Sequence, residues 1–297
     1  MIRIPDASVR CVFRNMTKAQ EVLGKLASNE GRVEMVQCDV GKRRQLEAAV
    51  EGVDQVVYAV SGFSAPRGTS LQKVLRLANL KIGQLTGTFL DVRGPALCAR
   101  MMNGAEDTAW IAEQKKLPKD QQLSRLVLLS SAAVTRPAWG DKKKAEFTEA
   151  AEIPIVKLNP FNVLGTKLRG EKRMRKTARQ IQLPYTIVRS TGITSEHPDG
   201  NFVVASGDTL VGRISPKDLG VALATTLITP QAAGKTVEIA TEVGIFGTQS
   251  LFARGTQTLL RPRGAKQRIA DGFAKCPSDD SLRPSLWELV RDFGSQE

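Results

Sequence analysis

Short runs of β-branched and apolar residues alternate with helix-length amphipathic segments over most of the chain, and this rhythm restricts the fold more than any other feature. Strands are expected at residues 8–13, 33–38, 54–60, 125–131, 184–190 and 236–240, and helices at 17–27, 43–51, 90–103, 162–181 and 216–228. Runs such as V-V-Y-A-V and L-V-L-L are continuously apolar, as strands are when helices cover both faces of a sheet. Strand–helix–strand units in series give an open, doubly wound α/β fold with a mostly parallel sheet. Residues 8–244 are assigned to that domain. Residues 245–297 are assigned to an Arg-rich, Pro-punctuated C-terminal extension with a helix over 281–293. The Gly-, Ser- and Thr-rich segment 61–88 interrupts the rhythm as an insertion near a strand's carboxyl end, with a short helix around 71–80.

Composition removes several function classes. At 297 residues and 41% hydrophobic content the chain can bury a core, and no run approaches the roughly 18 apolar residues of a spanning helix. Cys11, Cys38, Cys98 and Cys276 are widely spaced with no C-x-x-C pair, which fits a reducing compartment. His197 is the single histidine, so zinc chemistry on H-E-x-x-H is excluded, no metal site is expected, and a Ser/His/Asp hydrolase has little to work with.

The net charge of +13 calls for an anionic partner or a solvated basic face. The densest run, T-K-L-R-G-E-K-R-M-R-K-T-A-R, holds seven cations from Lys167 to Arg179 against Glu171 alone. On a helix, Leu164, Leu168, Met174, Ala178 and Ile181 form a core-facing stripe, leaving Arg169, Lys172, Arg173 and Lys176 on the opposite face. No aromatic residue interleaves with the run, so it is not a stacking platform for bases.

The order of motifs resembles the atypical short-chain dehydrogenase/reductases, a Rossmann-type NAD(P)-binding family. The resemblance runs through V-R-C-V-F-R-N-M-T-K-A, V-Q-C-D-V, V-D-Q-V-V-Y-A-V-S-G, R-L-V-L-L-S-S-A-A-V, T-K-L-R-G-E-K-R-M-R, L-P-Y-T-I-V-R-S-T-G-I and G-D-T-L-V-G-R-I-S-P-K-D-L-G-V-A, about residues 8–240. It implies that Asp39 and Val40 flank an adenine, with an N-cap role for Asp39 as the structural alternative. It implies that Ala59, Val60 and Ser61 let the cofactor approach the backbone, where Ala59 and Val60 are otherwise strand core. The loop Thr191, Gly192 and Ile193 would border nicotinamide and substrate, Gly192 serving otherwise as a turn residue. Where a ribose-binding carboxylate would end the first strand of this chain stands Arg14, followed by Asn15 and Lys18. A guanidinium there favours a 2′-phosphate, hence NADP(H).

Two departures from the family qualify these expectations. The family opens with a strand and a T-G-x-x-G-x-x-G turn, whereas this sequence enters at what resembles the second strand. The expectation is therefore a sheet lacking its central strand and a chain truncated relative to a functional ancestor. The second departure is in the Tyr-x-x-x-Lys pair: Lys167 matches the lysine, but Val163 stands where the tyrosine would be, and Tyr58 and Tyr185 fall in strands. Lys167, Ser130 and Ser131 remain as candidate catalytic residues, the serines otherwise closing a strand. The resemblance implies a reductase-like protein able to transfer hydride to a small carbonyl or conjugated substrate, in the cytoplasm or plastid stroma. Its alternatives are a non-catalytic scaffold or RNA-associated factor using the 167–179 helix, as among tyrosine-less relatives in chloroplasts and cyanobacteria, or an inactive fragment.

Overall fold

The computed structural model describes residues 7–30, 32–62, 88–197, 201–242 and 265–281. The expected 71–80 and 281–293 helices lie outside these residues, apart from Ser281. The chain begins with β1 (Val9–Phe13), α1 (Met16–Glu30), β2 (Val33–Gln37), α2 (Arg43–Val50) and β3 (Val56–Tyr58). A π-helical turn (Thr88–Arg93) then leads into α3 (Gly94–Gly104) and α4 (Ala109–Lys116), followed by β4 (Leu126–Ser131). Three short helices, α5 (Asp141–Glu146), α6 (Thr148–Glu152) and α7 (Pro154–Leu158), precede the long α8 (Val163–Gln180) and β5 (Tyr185–Ser190). After β6 (Gly192–Ile193), β7 (Asn201–Ala205) and β8 (Arg213–Ile214) come α9 (Pro216–Leu227), β9 (Lys235–Glu242) and α10 (Ala265–Lys275).

The α/β, mostly parallel architecture expected from the sequence is present, in two ladders. β1 and β2 pair in parallel, and a second sheet runs β3-β4-β5-β9-β8-β6, with β7 antiparallel on β9. Among the described residues neither β1 nor β3 has a second ladder partner, so the parallel array is interrupted between them. On β1, Val9 is 50% and Val12 36% exposed, unusual for valines on a strand of this kind. The β1–β2 pair is held to the rest by side chains. Arg10 donates to the Ala49 carbonyl at 3.2 Å and the Glu51 carbonyl at 2.9 Å, at the end of α2, and Cys38 and Leu46 enter the main core.

Helices α2, α3 and α8 share one core with Tyr58, Leu126, Leu128 and Ile187. The alternate strand residues, Val127, Val188, Val237 and Ile239, face the other core, built with α9 and α10. Helix α10 is part of this second core: Ile269 and Phe273 are fully buried, and a Cβ on Gly272 would meet Val204 at 2.6 Å. Asp279 then ties this part of the C-terminal extension to the sheet, its Oδ2 accepting from Tyr185 Oη at 3.0 Å and Thr236 Oγ1 at 2.8 Å.

Candidate functional site

At the carboxyl ends of β1 and β2 lies a cavity of about 710 Å³ lined by Arg14, Asn15, Met16, Thr17, Lys18 and Gln37. Asn15 starts α1 by accepting from the Lys18 backbone N–H at 3.1 Å, and Gln37 Nε2 reaches the Arg14 carbonyl at 3.5 Å. Arg14 and Lys18 are exposed, and no acidic side chain lines the cavity among the described residues. The structure thus brings together Arg14, Asn15 and Lys18, the three residues expected to select a phosphorylated ribose. Gln37 is a wall residue that sequence reasoning missed.

The turn after β2 is built by Asp39. Its Oδ1 accepts from Gly41 N–H at 2.9 Å, its carbonyl accepts from Lys42 N–H at 2.7 Å, and its own N–H donates to Gln45 Oε1 at 2.8 Å. The N-cap position of α2 is Lys42, so the capping role considered for Asp39 is replaced by a local side-chain turn. Val40 packs against the main core. After β3, Ala59 is exposed while Val60 packs inward, so strand core describes Val60 and not Ala59.

The π-helical turn collects most of the remaining candidates. Its Asp91, buried, receives Lys167 Nζ at 2.8 Å on Oδ1 and Gly62 N–H at 2.7 Å on Oδ2. Lys167 also reaches Ser61 Oγ at 3.2 Å, and Ser61 Oγ lies 3.4 Å from Asp91 Oδ2. Lys167 and Ser61 are therefore neighbours, joined also through an aspartate the sequence did not single out. Two glycines permit this closeness. A Cβ on Gly170 of α8 would stand 1.8 Å from the Asp91 carbonyl oxygen, and one on Gly94 would stand 2.0 Å from Tyr58 Oη. Tyr58 donates to the Leu90 carbonyl at 2.8 Å, and burial, with Cys98 and Asp91 nearby, pushes its phenol far above the ordinary range. A π turn inside a helix marks a local departure from regular bonding and is often found at functional sites.

Ser130 lies elsewhere in the hydrogen-bond scheme. Its hydroxyl donates to Glu171 Oε1 at 2.6 Å, and Glu171 is fully buried, gripped by Arg189 at 3.0 and 2.7 Å. Burial alone would raise the Glu171 carboxyl, but the Arg189 charge and hydrogen bonds, with Arg175 and Ser130, hold it below the ordinary carboxylate range. Ser131 Oγ lies 3.0 Å from the Ala132 carbonyl. Thr191 is buried with its hydroxyl on the Ile239 carbonyl at 3.2 Å, whereas Gly192 and Ile193 are exposed in β6, paired with β8. Gly192 has no positive φ, so the turn requirement considered for it is corrected: its place is an extended strand that any residue can adopt.

No helix among the described residues is long and apolar enough to cross a membrane. A search of curated proteins finds no match. Among solved structures, the fold is similar to a short-chain dehydrogenase/reductase of Veillonella parvula in complex with NADP (15% identity, 80% of this chain and 84% of that one, TM-score 0.48). It is similar also to a Bacillus halodurans protein assigned provisionally as an NAD-dependent epimerase/dehydratase (17% identity, 79% and 83%, TM-score 0.48). A third is an oxidoreductase of Lactococcus lactis (16% identity, 78% and 90%, TM-score 0.44). The model of the NAD(P)H-binding family matches residues 4–230, most of the chain. With that span matched and the mostly parallel α/β sheet in place, the chain belongs to the NAD(P)H-binding family.

Proposed function

We propose that this chain binds NADP(H), with the 2′-phosphate in the Arg14–Lys18 cavity, and works as a reductase-like protein on a small carbonyl or conjugated substrate. The observation that carries the reading is the lining of that cavity, with two exposed cations and, among the described residues, no carboxylate at the end of β1. A carboxylate there would accept from a ribose 2′-hydroxyl and repel a 2′-phosphate, whereas Arg14 does the reverse. Exposed Ala59 fits close passage of a dinucleotide across the end of β3. When bound, the nicotinamide supplies the hydride. The protein's share is to bind, orient and polarise. Lys167, held by Asp91 beside Ser61, keeps a cation at the end of β3, where it can donate a hydrogen bond to a ribose hydroxyl or a substrate oxygen. Val163, four residues before Lys167, cannot transfer a proton, so the proton that balances hydride delivery has to come from another side chain or from solvent.

A second reading is a nucleotide-binding scaffold without turnover. It is favoured by the engagement of Ser130 with Glu171 and of Lys167 with Asp91. Calorimetry with NADPH and NADH, followed by NADPH oxidation over a panel of aldehydes, ketones and enones, separates the two. Preferential NADPH binding with turnover supports the reductase. Binding without turnover selects the scaffold, and no binding of either nucleotide to the folded protein refutes both.

A further inference from the structure

Helices α3 and α8 pack side by side on the same core, and most of the side chains they expose are basic, with Asn103 and Gln180 the neutral ones. Arg93 and Arg100 are exposed at the start and along α3, and Arg169, Arg173 and Lys176 are exposed on α8, with Lys172 half-buried between them. None of the five exposed cations has an ion pair with another described residue. The acids of this region point inward: α3 has none, Asp91 is taken by Lys167, and Glu171 is taken by Arg189. Among the described residues the one acid set against an exposed cation of these helices is Asp280, paired to Arg179 at the end of α8, and the five cations named carry no such partner.

We infer that this two-helix face docks the phosphate backbone of a structured nucleic acid without reading its sequence. Cations on successive turns of one helix lie about 5–6 Å apart, and the neighbouring axis is about 8–10 Å away, so the two rows present a band of donors to a charged strand. Four of the five are arginines, whose planar forks suit phosphate oxygens. No aromatic side chain stands among them, so base stacking is not available and affinity rests on the backbone. A membrane surface fits less well, because none of the large apolar side chains exposed among the described residues lies on α3 or α8. A second copy fits worst, since a two-fold contact would set like charges against each other.

The test is fluorescence anisotropy of the full chain with a labelled mixed-sequence RNA hairpin. The key variant is Arg100→Glu/Arg169→Glu/Arg173→Glu/Lys176→Glu, all exposed positions away from Lys167 and Asp91. The control, Lys115→Glu/Lys116→Glu/Lys142→Glu/Lys144→Glu, changes net charge equally at exposed sites on α4 and α5. Four phosphate contacts predict an affinity loss of about a hundredfold between 50 and 200 mM salt. The key variant should lose the hairpin with an unchanged circular dichroism spectrum, and the control should keep it. Equal binding by the key variant, or equal loss in the control, overturns the assignment. So does retention on mixed phosphatidylcholine–phosphatidylserine vesicles without hairpin binding, or a dimer of the parent chain that the key variant dissolves.

Discussion

Lys167 Nζ and Asp91 Oδ1 lie 2.8 Å apart, joining a helix that enters the sheet layer after β4 to a π turn that enters it after β3. The Asp91 side chain is 3% exposed and that of Lys167 16%, so removing one partner leaves the other poorly solvated. Breaking a fully buried pair costs about 3–5 kcal/mol, and partial access of Lys167 to water reduces the expectation to about 2 kcal/mol. Asp91→Leu should lower stability to urea by about that amount, whereas Asp91→Leu/Lys167→Met should recover at least half of it. If both variants unfold at the same urea concentration, the pair does not hold the turn.

The same pair bears on binding. Arg14→Ala/Lys18→Ala removes up to two charge-assisted contacts to a 2′-phosphate, each of about 1.5–3 kcal/mol, so NADPH affinity should fall at least about tenfold. NADH affinity should change less than threefold, roughly 0.6 kcal/mol. Lys167→Met should weaken both nucleotides alike, because a hydrogen bond to the nicotinamide ribose is common to them. Competition calorimetry with both nucleotides reads the difference, and a parallel loss in the Arg14 variant would place the phosphate elsewhere.

The doubly wound series was legible because its strands are apolar runs of the right length and its helices carry stripes, as Leu126–Ser131 and Val163–Gln180 show. β7 was missed: N-F-V-V-A sits among glycines and prolines, and only antiparallel pairing with β9 makes a strand of it. Helix α10 was hidden in an Arg-rich stretch whose buried side, among the described residues, is Ile269, Phe273 and a glycine against Val204. The Arg14–Lys18 side of the cavity stood out in the sequence because those residues are consecutive, whereas Gln37 reaches it from β2. Asp91 could not, since its partner is 76 positions away and a lone acid at a helix start has ordinary uses. The one local hint was paired small residues, Gly94 three positions later and Gly170 in mid-helix, which signal close backbone approach.

Acid stability should show two carboxylates of opposite sign. Glu171 is held below its ordinary value of 4.5 in the folded protein, so it contributes stability above that value that is lost as pH falls through the folded value. Glu238 is raised by burial and by the Asp208 charge, although N–H bonds from Leu210 and Asp208 and the Arg189 charge oppose the shift. Its ionised form therefore weakens the fold at neutral pH, and protonation relieves that as pH falls toward 4.5. Urea midpoints measured from neutral pH downward should hold or rise until about 4.5, then drop. Glu171→Gln should cost about 3–5 kcal/mol at neutral pH by leaving Arg189 buried beside a neutral amide, and should remove much of the drop. A drop of unchanged size in that variant would assign it to other groups.

Gly94 and Tyr58 offer a cleaner test of how the π turn is seated. A Cβ on Gly94 would lie 2.0 Å from Tyr58 Oη and 3.0 Å from its ring carbon Cζ, and the phenol is fixed by its bond to the Leu90 carbonyl. Gly94→Ala must therefore displace the ring or the turn, with an overpacking cost of about 1–3 kcal/mol. Tyr58→Phe alone should cost about 1 kcal/mol through the lost hydrogen bond to Leu90. In the Tyr58→Phe background the closest oxygen is gone and the remaining contact needs only a few tenths of an ångström of relief. Gly94→Ala should then cost less than half of what it costs beside tyrosine, a coupling readable in a double-mutant cycle of urea denaturation. Strict additivity would mean that the turn moves as a body and that Tyr58 does not seat it. In that case the Asp91–Lys167 pair should also be lost in Gly94→Ala, and nucleotide affinity should fall together with stability.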